Sequence, residues 1–151
     1  MDRITVRSNL PGFVLLDEIS DVGPETITGF RRFDRAQPYL PIEALAQLGA
    51  YHARFLADFE KHAFLLGVKR CSLPPVDELT GGYQLFGILE SRSSSAFSHR
   101  LTATGEGGTT IEGEFLFALI DYGEAGFNRD ILRDRYRKVF SCLRSGTKKN
   151  C

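Results

Sequence analysis

Over residues 41–59, Ile42, Leu45, Ala46, Gly49, Ala50, Ala53, Leu56 and Phe59 recur at helical spacing. Such a run makes a helix about 28 Å long at 1.5 Å per residue. Pro41 suits its first turn, where a missing N–H costs nothing. Small and apolar residues fall on more than one face, so the helix needs cover from several directions and one flat sheet face would not supply it. Four strand-like runs follow, at residues 63–73, 79–91, 96–105 and 109–122. They are broken by Pro74-Pro75, by Ser93-Ser94-Ser95 and by Glu106-Gly107-Gly108, each rich in turn residues. The expectation is an α+β fold in which an antiparallel meander curls around the long helix.

The flanks extend this pattern. Leu10-Pro11-Gly12 reads as a turn into a short apolar segment at residues 13–16, and residues 26–33 alternate as a strand. Beyond Tyr122 the chain turns polar. There Ile131, Leu132, Tyr136, Val139, Phe140 and Leu143 mark a second, amphipathic helix over about residues 128–143, expected on the outside, with a basic, frayed tail at 144–151. At 151 residues the chain fits one domain, with residues 1–127 as its body and 128–151 as a helix and tail of the same unit.

Nineteen acidic residues balance nineteen basic ones, so no global field draws the chain to nucleic acid or to an anionic membrane. No stretch approaches the roughly 20 apolar residues of a membrane span, and the first ten residues carry no apolar signal region. A cytoplasmic location is expected. The three cysteines, Cys71, Cys142 and Cys151, cannot all pair with one another and match no zinc or redox spacing, which predicts reduced thiols. No metal site is expected, because none of His52, His62 and His99 has ligand spacing with another histidine or a cysteine. The G-x-S-x-G, P-loop and dinucleotide signatures are absent, and no cofactor is expected.

Four segments, in order, resemble the 3-hydroxyacyl-(acyl carrier protein) dehydratases. Leu10-Pro11-Gly12-Phe13-Val14-Leu15-Leu16-Asp17-Glu18-Ile19 is similar to that family's opening, in which Leu-Pro leads into Leu-Val-Asp. Pro38-Tyr39-Leu40-Pro41-Ile42-Glu43-Ala44-Leu45-Ala46-Gln47 resembles its P-x-M-P-G…E-A-L-A-Q at the start of the central helix. The stretch from Val68 through Pro74-Pro75 to Leu79 resembles F-x-R-P-V-x-P-G-D-x-L, and Glu112-Gly113-Glu114-Phe115-Leu116-Phe117-Ala118-Leu119 resembles the closing strand. The resemblance implies a hot-dog fold, with the antiparallel sheet wrapped around the central helix. It also implies a protein that binds or processes acyl thioesters in fatty-acid or polyketide-type biosynthesis.

Dehydration of a β-hydroxyacyl thioester needs one group to take the α-proton and another to protonate the departing hydroxyl. In the family these are a helix glutamate and a histidine in G-H-F-P-G, drawn from opposite subunits of a dimer. Glu43 matches the glutamate, and Gln47 shares its face one turn on. The segment that should hold the histidine, Gly29 to Gln37, holds none. Asp34 is the nearest carboxylate available as a substitute, and it would need a raised pKa. His52 lies nine residues beyond Glu43, about 13 Å along an ideal helix, out of direct reach.

Arg31, Arg32, Arg35, Lys69 and Arg70 form a candidate basic rim for an acidic acyl carrier protein, the alternative being charged strand edges that discourage aggregation. Phosphopantetheine is expected only as part of a carrier-linked substrate. Phe64, Leu65, Leu66, Phe86, Phe115 and Phe117 read as ordinary core rather than as an acyl tunnel. The resemblance further implies a homodimer, or a heteromer with a related hot-dog subunit. Two alternatives to a dehydratase stay open: a catalytically silent acyl-binding subunit, and an acyl thioesterase in which Glu43 orients water.

Overall fold

The structure, a computed structural model, describes residues 14–146. The chain runs β1 (Glu18–Val22), β2 (Thr26–Ala36), α1 (Leu40–Leu56), β3 (His62–Ser72), β4 (Leu79–Arg92), β5 (Ala96–Gly105), β6 (Thr110–Ile120) and α2 (Arg129–Ser145). All six strands join one antiparallel sheet in the order β1-β2-β4-β5-β6-β3. The α+β expectation holds, but the meander is limited to β4, β5 and β6. β3 does not pair with β4; it crosses to the far side of β6, and β2 takes the vacated edge of β4. Turn residues show where the chain reverses, while strand partners are chosen by long-range packing, which local pattern does not record.

β1 is the strand that sequence pattern misses, since Glu-Ile-Ser-Asp-Val carries few strand formers and buries only Ile19 fully. The Leu10–Phe13 turn and residues 147–151 of the basic tail lie outside the described residues. The strand alternation is otherwise regular. Ile27, Gly29 and Phe33 on β2, Tyr83 and Leu85 on β4, and Leu101 and Ala103 on β5 face α1 and are buried.

The fit between sheet and helix depends on glycine. An added Cβ at Gly49 on α1 would sit 2.5 Å from the Phe117 ring, and one at Gly29 on β2 would sit 2.8 Å from the Glu18 carbonyl oxygen and 3.0 Å from Leu48. Without those side chains, helix and sheet approach closely enough for Ala44, Leu45 and Leu48 to be fully buried. Burial of a leucine such as Leu48 contributes about 1.5–3 kcal/mol.

α2 covers the side of α1 that the sheet leaves open. Its ends are explicit: the Asn128 side chain accepts a hydrogen bond from the Ile131 N–H (3.1 Å), and Gly146 closes the helix in the left-handed region (φ 73°). Phe140 stacks on Tyr51 and Phe55, and Val139 and Leu143 are buried. The Arg144 guanidinium donates to the Ile19 carbonyl (3.1 Å), tying the end of α2 to β1. Cys142 on this helix is disulfide-bonded, which corrects the expectation of three reduced thiols, whereas Cys71 is free. No helix among the described residues is long and apolar enough to cross a membrane.

Candidate functional site

Only three residues, Gln37 to Tyr39, separate the end of β2 from the start of α1. The C-terminal half of β2 and the first turns of α1 are therefore held in one corner of the molecule. Glu43 occupies the first turn of α1 and is exposed. Gln47, one turn on, is half-buried, and its Oε1 accepts the Leu15 N–H at 2.7 Å. That bond fixes the segment entering β1 against α1, so Gln47 has a structural task besides any contact with a ligand.

Two residues past Leu15, Asp17 acts as a clamp on β2. Its N–H donates to the Phe30 carbonyl (2.9 Å), its Oδ2 accepts the Arg32 N–H (2.8 Å), and its Oδ1 accepts from Nη1 of Arg31 (3.2 Å). Arg31 does not stand on a rim. It lies on the face of β2 shared by Gly29 and Phe33, opposite the buried Tyr83, with its guanidinium 5.8 Å from the centre of the Phe33 ring. Its side chain is 24% exposed, and its buried Nε–H has no partner.

The other expected cationic residues are spread out. Arg32 approaches Glu106 (3.9 Å), Arg35 pairs with Glu78 (3.3 Å) and Arg70 pairs with Glu114 (2.8 Å). Lys69 is exposed. Arg35 and Arg70 each sit at a break in strand register with positive φ (49° and 51°), where the bulge turns the side chain outward. The two arginine-bearing strands, β2 and β3, have β4, β5 and β6 between them, so the five residues do not share one patch within a protomer. Asp34 is exposed at the β2 bulge, on the opposite face from Arg31 and Phe33.

The chain's three histidines are all elsewhere. His52 and His99, both fully buried, meet through Nδ1 of His52 and Nε2 of His99 at 2.9 Å. Nε2 of His52 lies 2.8 Å from the Gly23 carbonyl, which only accepts, so His52 carries its proton on Nε2. Its Nδ1 then accepts from His99 Nε2–H, and the bare Nδ1 of His99 has no partner. Burial lowers the His52 pKa and, together with the neighbouring His52, pushes that of His99 down to about 3. The pair is neutral and sealed. Sequence reasoning could not join two residues 47 positions apart on different elements.

His62, at the start of β3, stacks on Phe64 and Tyr136, and burial followed by the nearby Arg54 lowers its pKa to about 4. Arg54 itself is buried in the last turn of α1, where a cation suits the helix dipole. Its guanidinium lies 3.7 Å from the Tyr136 ring centre and 4.8 Å from that of Tyr51, and it donates to the Ala63 carbonyl (3.0 Å). Burial raises the Tyr51 phenol to about 12. Among the described residues, no group of three or more His, Cys, Asp or Glu side chains is arranged to hold a metal ion.

No family model and no curated protein sequence matches the chain. Solved structures do. The dehydratase heterocomplex ApeI:P from Xenorhabdus doucetiae aligns with a TM-score of 0.63 at 16% identity, over 80% of this chain and 93% of that one. The fold is the hot-dog fold. A thioesterase from Haemophilus influenzae aligns at 0.61 with 13% identity, over 78% and 87% of the two chains. A hypothetical thioesterase from Streptococcus pneumoniae, solved with coenzyme A, aligns at 0.61 with 8% identity, over 78% and 97%. At such identities the likeness concerns the fold alone, and a shared fold does not carry a shared activity.

Hot-dog architecture also explains a misread set of residues. Phe115 and Phe117 are core, as expected, but Phe64, Leu65 and Leu66 are exposed on the outermost strand β3, with Leu66 at 54%, and Phe86 is exposed on β4. An apolar run reads as core from sequence whether or not the chain's own fold covers it.

Proposed function

We propose that this chain is a dehydratase-like hot-dog subunit that binds acyl thioesters at the head of α1 and does not dehydrate them alone. The carrying observation is the separation of groups. Glu43 is exposed at the head of the helix, whereas all three histidines lie around its far half, two of them locked together in the core. Glu43 supplies one proton-transfer group, and dehydration needs two at different atoms. Asp34, on the outer face of the bulge, is not brought to the inner corner within a protomer.

A second subunit completes this reading. β3 is an eleven-residue edge strand that exposes Phe64, Leu65 and Leu66. Pairing it with another β3 removes the unpaired edge and covers the apolar side chains. A related subunit bearing the missing histidine would then restore a two-group site with Glu43. The thioester would arrive on an acyl carrier protein, whose acidic surface suits the exposed Arg32 and Arg35 at the end of β2 that leads into α1, and phosphopantetheine would enter only as part of the substrate.

Incubation of the purified protein with 3-hydroxyacyl, enoyl and saturated acyl carrier-protein thioesters, followed by intact-mass spectrometry, tests the proposal. The expected result is retention of the acyl groups with negligible loss of water. Robust dehydration by the purified protein would overturn it, and its survival after each histidine is replaced in turn would point to a histidine-free mechanism. Rapid release of the saturated acyl group would favour the thioesterase reading instead.

A further inference from the structure

A thioester held beside Glu43 presents a carbonyl oxygen that needs a hydrogen-bond donor. The first turn of α1 offers little to it. The Leu40 N–H donates to the Gln37 carbonyl (3.0 Å), and the Ile42 and Glu43 N–H groups both donate to the Tyr39 carbonyl (3.1 and 3.2 Å). Pro41 has no N–H at all. A helix start usually leaves its first N–H groups open to a ligand; here the chain's own carbonyls occupy them.

Among the described residues, three buried side-chain nitrogens lack a partner: Arg31 Nε, Arg54 Nε and His99 Nδ1. His99 Nδ1 is the bare acceptor of a sealed pair and has no proton to give. Arg54 lies in the last turn of α1, beneath Tyr136 of α2. Arg31 is on the inner face of β2, and Asp17, which binds it, is two residues from Leu15, which binds Gln47. Two residues span at most about 7 Å. Of these three described side-chain nitrogens, Arg31 Nε is therefore the one that shares its corner with Gln47, one turn from Glu43.

We infer that Arg31 recognises the substrate by donating its Nε–H to the thioester carbonyl oxygen, with Asp17 setting the direction of the guanidinium. This rests on the acyl-thioester reading and adds to it the group that meets the acyl carbonyl. Three features support the assignment. Asp17 holds the guanidinium through Nη1 and leaves the Nε edge unused. The same carboxylate is fixed by the Arg32 N–H, so the clamp has little freedom to turn. A buried N–H without a partner is costly, and that cost is relieved when a carbonyl arrives.

The test uses two pantetheine-linked probes of equal chain length, a stable oxoalkyl analogue that keeps the carbonyl and a thioether with a methylene in its place. Their affinities are measured by calorimetry for the full-length protein, for Arg31→Lys and for Asp17→Asn. Lysine keeps a cation for Asp17 but has no Nε–H, so this variant removes the donor while preserving the ion pair. The wild type should bind the carbonyl probe about 10-fold more tightly than the thioether, the worth of one good hydrogen bond. Arg31→Lys should bind both probes alike, at the wild-type affinity for the thioether, and Asp17→Asn should show an intermediate preference. An undiminished carbonyl preference in Arg31→Lys, or none in the wild type, overturns the role of Arg31 while leaving acyl binding intact. Failure of both probes to bind the wild type overturns the acyl-thioester reading, and the Arg31 inference with it.

Discussion

The N-terminal and C-terminal halves of α1 both carry polar side chains, yet the fold treats them in opposite ways. Around the first two turns, Glu43 is exposed, Gln47 half-buried, and Arg31, clamped by Asp17 two residues from the Leu15 that binds Gln47, keeps an unused donor. Around the last two, Tyr51, His52 and Arg54 are all buried beneath β5, β3 and α2, and their polar atoms go largely to fixed partners: His99, the Gly23 carbonyl, the Ala63 carbonyl and aromatic faces. Burial alone therefore does not mark a functional group. Three histidines, two tyrosines and an arginine gather at the closed end, where burial lowers the pKa of each histidine and raises that of Tyr51, and they work as architecture. The sparser open end retains groups that a ligand can meet.

The largest expected effect lies at the closed end. His99→Ala removes the partner of His52 and opens a void in the core, and should cost about 3 kcal/mol in urea unfolding at pH 7. His99→Gln, whose amide still donates to His52 Nδ1, should recover much of that loss. Unchanged stability in His99→Ala would mean that the pair does not hold the closed end together.

Acid should act on the same end. His99 has a folded pKa of about 3 and His62 of about 4, and His52 is also lowered. The unfolded chain, with histidines near 6.5, binds more protons than the folded one in this range. Stability is then complete above about pH 6.5 and falls as pH drops toward 4, by about 1.4 kcal/mol per pH unit for the fully buried His99. Unfolding measured between pH 7 and pH 4.5 should show the slope, and His99→Gln should flatten it. A wild-type profile flat over that range would contradict neutral burial of the pair.

Stability should respond least at the open end. Glu43→Gln is expected to shift it by no more than about 0.5 kcal/mol, as for an exposed site. If a histidine-bearing partner subunit restores dehydration, the same substitution should reduce that turnover by about 100- to 10,000-fold. A well-folded Glu43→Gln with unchanged turnover in the restored complex would remove Glu43 from the chemistry.

Sequence pattern reached the central helix, four of the strands nearly to the residue, and α2, because each has an unbroken periodicity. It placed Glu43 and Gln47 correctly on the first turns of α1. It gave the wrong order for β3 and missed β1, whose polar composition is that of an edge strand packed against α2 by Arg144. It also treated Arg31 with its charged neighbours. The alternation of Ile27, Gly29, Arg31 and Phe33 holds the signal that turns Arg31 inward, but a cation at an inward position is read as solvated until its clamp, Asp17, is seen in space. The His52–His99 contact depends wholly on how β5 crosses α1.

The contrast between the two ends of α1 is open to one direct measurement. Backbone amide shifts of the protein can be followed by NMR during titration with a stable acyl-pantetheine analogue. The account predicts that the perturbed residues cluster at 15–17, 29–33 and 40–47, with the amides of His52, Arg54, His99 and α2 almost unmoved. Shifts concentrated instead around Tyr51, Arg54 and Tyr136 would place the ligand at the closed end and contradict the assignment of the site.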